Sequence, residues 1–411
     1  MPSSKFTETP WLINRPSIDV FINKIKFISH PLIEICRIGK GMESGLNEAF
    51  VVTKDIAEKW NLEPDRIKNH VQGKDLTRYS INHRDLFLIY NENIDDLTMF
   101  PFVETYLTQF KDKLGKRINF ILGNCKWYSY GSPLNTDVYE HADEKLIVPY
   151  MATQARFGYD SCTEDEHFFT LTDTTIIVLK ENQDYKLKYV LSILNSSLLN
   201  YIHQRTAKLK RDGYYEYFSK TMERLPIRRI SFTTPAPERA RLGAEMQQLY
   251  ANDKHAEILA QVEACLPKDT TGNFIAEQEQ SDVVHDLLAF LAERMLEMNK
   301  QKQQEIKGFL GWLEGEVGAK IDDLSPKTKI QSYYDYDFND FYAVLKKNKN
   351  KLSINPSSRE KSELLKDEFL KSVGKLEPLR EKIKQTDRLI DKIVYELYGL
   401  TEEEIWIVEG T

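Results

Sequence analysis

Gly39-Lys40-Gly41-Met42-Glu43-Ser44-Gly45 is the first stretch whose residue types could hold a phosphate. A P-loop would close on Gly-Lys-Ser/Thr, and a dinucleotide loop would be followed by an acidic residue about 20 positions on. Neither pattern is met, and turn flexibility accounts for these glycines. The eight histidines, His30, His70, His83, His141, His167, His203, His255 and His285, contain no His-x-x-x-His pair, so a zinc hydrolase is not expected. His141, Asp143 and Glu144 lie close together but lack a partner nucleophile motif such as Gly-x-Ser-x-Gly. Nuclease chemistry needs carboxylates on magnesium beside a lysine. The fragments available, Asp65 and Asp184-Tyr185-Lys186, are 119 positions apart at their aspartates. Cys36, Cys125, Cys162 and Cys265 are spaced by 89, 37 and 103 positions, which gives neither a disulfide framework nor a paired zinc motif. They read as buried or incidental thiols.

The chemistry that remains is charge beside aromatic surface. The formal net charge is -7, but residues 1–230 hold 31 basic against 30 acidic groups, and residues 231–411 hold 25 against 33. Within 201–230 there are eight basic residues (Arg205, Lys208, Lys210, Arg211, Lys220, Arg224, Arg228, Arg229) against three acidic ones. Tyr201, Tyr214, Tyr215, Tyr217 and Phe218 are interleaved with them. Cations of this kind can meet phosphates while aromatic faces stack on bases or sugars. The competing reading is a solvated turn whose aromatics belong to the core.

Such groups need elements to position them. From 20 to 230 the apolar runs are short and rich in β-formers: Ala49–Val52, Leu86–Tyr90, Lys145–Val148 and Thr175–Leu179 read as strands. Phe102 to Leu114, and Tyr189 to Ile202, show helical spacing. Without regular βαβ alternation, this half reads as a mixed-sheet α+β domain over 1–230. Thr233-Thr234-Pro235-Ala236-Pro237 reads as a linker, and 231–411 as a second, all-α domain. There, a helix capped by Ser281 and Asp282 is expected to reach 317, about 50 Å if unbroken. A second helical region runs from 359 to 398, interrupted near Pro378 and closed by Gly399, with Thr401-Glu402-Glu403-Glu404 as a capping box for one more turn. Two long amphipathic helices suggest an antiparallel pair with Leu287/Leu291/Met295 and Leu389/Ile393/Leu397 packed inside. The aromatic, acidic stretch 331–342 reads as a surface-packed hairpin or loop.

The chain has 411 residues, 41% hydrophobic and 29% charged, enough for two or three domains and too rich in bulky apolar side chains for disorder. There is no run of about 20 apolar residues, and Met1–Glu8 lacks a leader pattern, so a cytoplasmic protein is expected.

Several segments together resemble the TaqI-like C-terminal specificity domain, the target-recognition region of adenine-N6 DNA methyltransferases and combined restriction-modification enzymes. Ile38 to Val51 is similar to the family's stretch Ile-x-x-Gly-x-x-Thr-Gly-x-Asn-x-Ala-Phe, with Ser44 in place of Thr. Gly73-Lys74-Asp75-Leu76-Thr77-Arg78-Tyr79 resembles its Gly-Lys/Arg-Asp-Ile-x-Arg-Tyr element, and Pro101 to Arg117 the helix before its Trp-Tyr pair, here Trp127-Tyr128. Arg156-Phe157-Gly158-Tyr159-Asp160, Leu194-Asn195-Ser196 and the run Thr386 to Thr401 continue the series in order.

The resemblance implies a DNA reader without its catalytic half. The family's Asn/Asp-Pro-Pro-Tyr/Phe motif and glycine-rich S-adenosylmethionine loop are missing, and the sequence contains no Pro-Pro dipeptide. No cofactor is therefore expected on this chain; S-adenosylmethionine belongs on a partner methyltransferase chain. The partners implied are double-stranded DNA and that catalytic subunit, with no membrane. Lys74, Arg78, Lys208, Lys210 and Arg211 are the expected phosphate contacts, and Asn124, Lys126, Ser129 and Asn135 the base-edge candidates. Asn47, Phe50, Arg156, Tyr159 and Asp160, within the shared motifs, are expected to hold the scaffold. The acidic helical half is expected to be a spacer and docking device, with 299–305 and 331–342 as docking candidates. The alternative is a non-catalytic protein-interaction module or the inactive remnant of a split methyltransferase.

Overall fold

The computed structural model describes residues 16–164 and 166–410; Met1–Glu8 lies outside them. The chain forms two compact units, Met1–Glu293 with Leu389–Thr411, and Arg294–Arg388. These units are drawn differently from the composition change at 230/231, because both flanks of the helical region fold with the mixed part. The architecture is α+β, as expected.

The centre of the first unit is a four-stranded antiparallel sheet of β1 (Cys36–Lys40), β2 (Lys145–Pro149), β3 (Gly158–Asp160) and β4 (Thr174–Leu179), in the order β3-β2-β4-β1. Every residue of β2 is buried, which fits its unbroken apolar run. Its one charged residue, Lys145, forms an ion pair with Asp160 of β3 at 2.7 Å, both fully buried. Asp160 also accepts the N–H groups of Cys162 and Phe168, so the pair carries hydrogen bonds as burial requires. A smaller sheet of Val51–Thr53, Leu86–Ile89 and Ile67–Asn69 packs its apolar face into the same core. The expected strand at Ala49–Val52 begins two residues late, because Asn47–Phe50 forms one helical turn. The helix expected over 102–114 is split into Pro101–Thr108 and Lys111–Leu114. That expected over 189–202 is split at Ser196, whose hydroxyl caps the second piece by accepting the Leu199 N–H.

The shared motifs meet at one node. The Asn195 side chain accepts the N–H of Phe157 and donates to its carbonyl, both at 3.0 Å. The Tyr79 N–H also donates to the Phe157 carbonyl, and the Arg78 guanidinium donates to the Asn195 carbonyl at 2.6 Å. Elsewhere in the unit the Ser44 hydroxyl donates to Asn47, Phe50 sits edge-on to Tyr130 in the core, and Tyr159 donates to Glu144. The C-terminal run joins this scaffold: Asp391 accepts the N–H and hydroxyl of Ser197, and the Tyr398 hydroxyl donates to Pro226 and accepts from the Arg228 N–H.

Two long helices, α1 (Ser281–Val317) and α2 (Arg359–Leu397), each begin in one unit and end in the other. Ser281 and Asp282 do not serve only as a local cap: they accept the N–H groups of Ser231 and Thr234, tying the linker to the start of α1. Within the second unit the helices are antiparallel, since Glu316 pairs with Lys361 and Glu305 with Lys375. Pro378 lies inside α2 without interrupting it. One ladder bond is lost there, and burial of Phe369 and Leu376 on the preceding turns outweighs it. Gly399 takes the left-handed conformation that ends α2 (φ 63°), and Thr401 and Glu404 form the capping box. The segment 331–342 departs most from its sequence reading. Tyr333, Phe341 and Tyr342 are buried with Phe309, Leu313, Leu365 and Phe369 as the core of the second unit, and Tyr333 hydrogen-bonds Ser372 at 2.6 Å. Apolar ring area outweighs the aspartates, which sit at the exposed edges. No helix among the described residues is long and apolar enough to cross a membrane.

Candidate DNA-recognition surface

β1 and β2 both pair antiparallel with β4, so they run in the same direction and leave the sheet at one end. Lys40 and Pro149 lie there, opposite Thr175 and Thr174. The segments leaving these two strands form the candidate surface.

Beyond β2, the Tyr150 N–H donates to the Asp173 carbonyl, and its own carbonyl accepts the Tyr217 N–H. Tyr215–Glu216 pairs with Met151–Ala152, which docks a hairpin over 207–217. Leu209 bridges Tyr215, and the turn closes through Asp212 and Gly213, both in the left-handed region (φ 59° and 77°). Lys208 and Arg211 are exposed at this tip with Tyr214, while the Lys210 ammonium pairs with Glu216 at 2.6 Å. The hairpin is anchored by Tyr217, fully buried and stacked on His203 at 4.0 Å. Burial holds the His203 imidazole down to about 4, and its Nε2 faces the Glu216 carbonyl.

Lys74 joins the hairpin at this end. Its turn, Gly73–Asp75, is set by the Gly73 N–H donating to Asp173 at 2.7 Å. A Cβ on Gly73 would lie 2.9 Å from the Asp173 carbonyl, so only glycine allows the approach that leaves Lys74 exposed. Of the expected phosphate contacts, Lys74, Lys208, Lys210 and Arg211 thus lie on segments at this end of the sheet. Arg78 is not among them, because its guanidinium is turned inward onto the Asn195 carbonyl. The linear basic cluster is likewise divided: Arg228 is buried against Glu279 and the Leu397 carbonyl, and Tyr201 is core.

Beyond β1, Gly41 passes so close to Leu171 that a Cβ would meet its carbonyl at 2.0 Å. In the stretch that superficially suggests a phosphate loop, Gly41 therefore serves backbone approach and Gly45 a left-handed turn (φ 76°). Glu43 then pairs with Ser132, and the Ser44 carbonyl accepts Arg117. Arg117 is a buried clamp that sequence reasoning missed. Its guanidinium donates to the carbonyls of Leu114, Ser44, Ser129 and Trp127 at 2.8 to 3.0 Å. Of the base-edge candidates, Ser129 and Lys126 lend their carbonyls to it. Asn124 is exposed. Ser129 is half-buried, and its carbonyl belongs to the clamp. The Lys126 ammonium donates to the Ile94 and Asp95 carbonyls at 2.9 Å each. Asn135, in the left-handed conformation, donates to the Lys40 carbonyl and accepts from Arg37, which ties it to the edge strand. Three of the four are thus engaged by the scaffold, because a polar loop folded back on a sheet edge must satisfy its own backbone first. Among the described residues no cluster of three or more His, Cys, Asp or Glu side chains could hold a metal ion.

Residues 68–227 match the TaqI-like C-terminal specificity domain. The chain carries that domain. The matched stretch spans Lys74, the Arg117 clamp, the Phe157–Asn195 node and the hairpin. Residues 278–394 match a domain of unknown function, DUF8810, which covers most of α1 and α2. The chain is 26% identical over 229 residues to the type II methyltransferase M.MjaIV of Methanocaldococcus jannaschii, covering 54% of this chain and 72% of that one. It is 24% identical over 241 residues to the type II methyltransferase M.HindII of Haemophilus influenzae, covering 57% and 45%. Among solved structures it is similar to the type IIL restriction-modification enzyme MmeI in complex with DNA, with a TM-score of 0.36 and 9% identity over 61% of this chain and 31% of that one.

Proposed function

We propose that this chain is the DNA-reading component of a restriction-modification system, acting with a separate adenine-N6 methyltransferase chain and itself non-catalytic. The observation that carries the reading is the convergence of Lys74 with the 207–217 hairpin at one end of the central sheet, inside the matched specificity domain. Lys74, Lys208 and Arg211 are the phosphate contacts in this reading, with Lys210 released from Glu216 on binding. The mixed unit reads DNA through its part within 1–230, and the helical 294–388 unit acts as spacer and docking element. Because 331–342 is core, docking falls to the polar stretch 299–305 of α1. S-adenosylmethionine sits on the partner.

The test is DNA binding measured against salt. Wild-type protein should bind duplex DNA with log affinity falling linearly in log salt, and Lys208→Ala with Arg211→Ala should flatten the slope by up to about 0.9 for each phosphate no longer neutralised. An unchanged slope means the hairpin faces away from DNA. Calorimetry should find no saturable S-adenosylmethionine site on the isolated chain.

A further inference from the structure

The Arg117 clamp supports an exposed apolar turn. Directly after it, Ile118–Ile121 forms one helical turn from which Ile118 (70% exposed), Ile121 (67%) and Leu122 (66%) project, with Phe120 partly exposed. Spacings of three and four put Ile118, Ile121 and Leu122 on one face. Three large aliphatic side chains so exposed within five residues are costly in water unless something covers them. The knob is also stiff: besides the Arg117 bonds, the Asn119 side chain donates to the Gly131 carbonyl. Residues 111–126 carry Lys111, Lys113, Lys116, Arg117 and Lys126 against Asp112 alone; Arg117 is buried, Lys113 pairs with Glu48 and Lys126 with Asp95, which leaves Lys111 and Lys116 as the cations beside the knob. Lys111 and Lys116 are exposed.

We infer that the knob Ile118/Ile121/Leu122 is an apolar wedge that enters a groove of duplex DNA and presses on a base step, with Lys111 and Lys116 on the flanking phosphates. Two features select DNA over a protein surface. The first is size: a stable protein interface takes about 20–30 residues a side, whereas the knob offers one turn. The second is charge, since lysines around an aliphatic tip match a groove whose rims are phosphate and whose floor is base edges. The anchoring carbonyls of Ser44 and Ser129 belong to loops extending from the β1 end of the sheet, the end at which Lys74 and the hairpin lie. The inference rests on the DNA-reading function and adds, beside the two lysine contacts, an apolar contact that itself releases no counterions.

The experiment uses the full chain with a fluorescent random-sequence duplex pool between about 50 and 200 mM salt, and the same pool carrying one central mismatch, which unstacks more easily. Ile118→Ser/Ile121→Ser/Leu122→Ser should weaken binding about tenfold at every salt concentration, leave the slope unchanged and abolish any preference for the mismatched pool. Ile121→Ser alone should give a smaller loss of the same kind, and circular dichroism should show both variants folded. Wild-type affinity in the triple variant would overturn the inference while leaving the hairpin's role intact. Loss of a wild-type dimer in sedimentation, with DNA affinity unchanged, would overturn it in favour of a second copy as the occupant. Folded wild-type protein that binds neither pool would refute the DNA-reading function and the wedge with it.

Discussion

Residues 201–230 and 331–342 look alike in sequence, since each mixes aromatic rings with dense charge, yet the chain uses them oppositely. In the first, Tyr201 and Tyr217 are buried and Tyr214 stands exposed (38%) beside Lys208 and Arg211 on a hairpin tip. In the second, Tyr333 is fully buried and hydrogen-bonded, with Phe341 packed against it, at the centre of a helical unit. Left-handed Asp212 and Gly213 make the difference in one case, turning the chain back before its rings can gather. In the other, a helix from Phe338 to Lys347 brings Phe341 and Tyr342 onto one face against α1 and α2. Aromatic and charged composition identifies a segment under strong constraint, but the local backbone decides whether its rings meet solvent or core.

The strongest way to break this comparison is Tyr333→Ala. It should destabilise the 294–388 unit by about 3–5 kcal/mol through an emptied core site and the lost Ser372 partner, as read in urea denaturation. A change below about 0.5 kcal/mol would return the segment to the surface.

Next comes pH. His203, beneath the hairpin, is held down to about 4 in the folded chain against an ordinary value near 6.5. On acidification the unfolded chain takes up this proton first, so stability is full above about 6.5 and is lost as the pH falls toward 4. Between pH 7 and 5 the loss from this group should be roughly 2 kcal/mol, and His203→Gln should remove that part of the slope. His70 and His285, also pushed down by burial, act in the same direction, so the difference between variant and wild type isolates His203.

Smaller still is Lys74→Ala. It should leave unfolding unchanged while weakening duplex binding a few-fold at low salt, an effect that fades as salt rises. The smallest effect expected is that of Tyr214→Ala on stability, within about 0.5 kcal/mol. If Tyr214 loss destabilises as Tyr333 loss does, the contrast between the segments fails.

What the sequence determined by itself was local or ordered along the chain. The span of α1, the Gly399 stop, the Thr401 box and the strands at 86–89, 145–149 and 174–179 stem from periodicity and capping, which act over a few residues. The ordered motifs likewise announced the specificity domain. Tertiary structure alone decided which cations reach solvent. Arg78 and Lys74 share one motif, yet Arg78 is held by a carbonyl 117 positions away and Lys74 is left outside by a glycine packed on Asp173. It also decided that Ile118, Ile121 and Leu122, apolar and helical in spacing, are not core. A buried guanidinium hydrogen-bonded to five backbone carbonyls holds them outward, and no neighbour-by-neighbour pattern encodes a clamp whose acceptors are backbone carbonyls as far as 73 positions away.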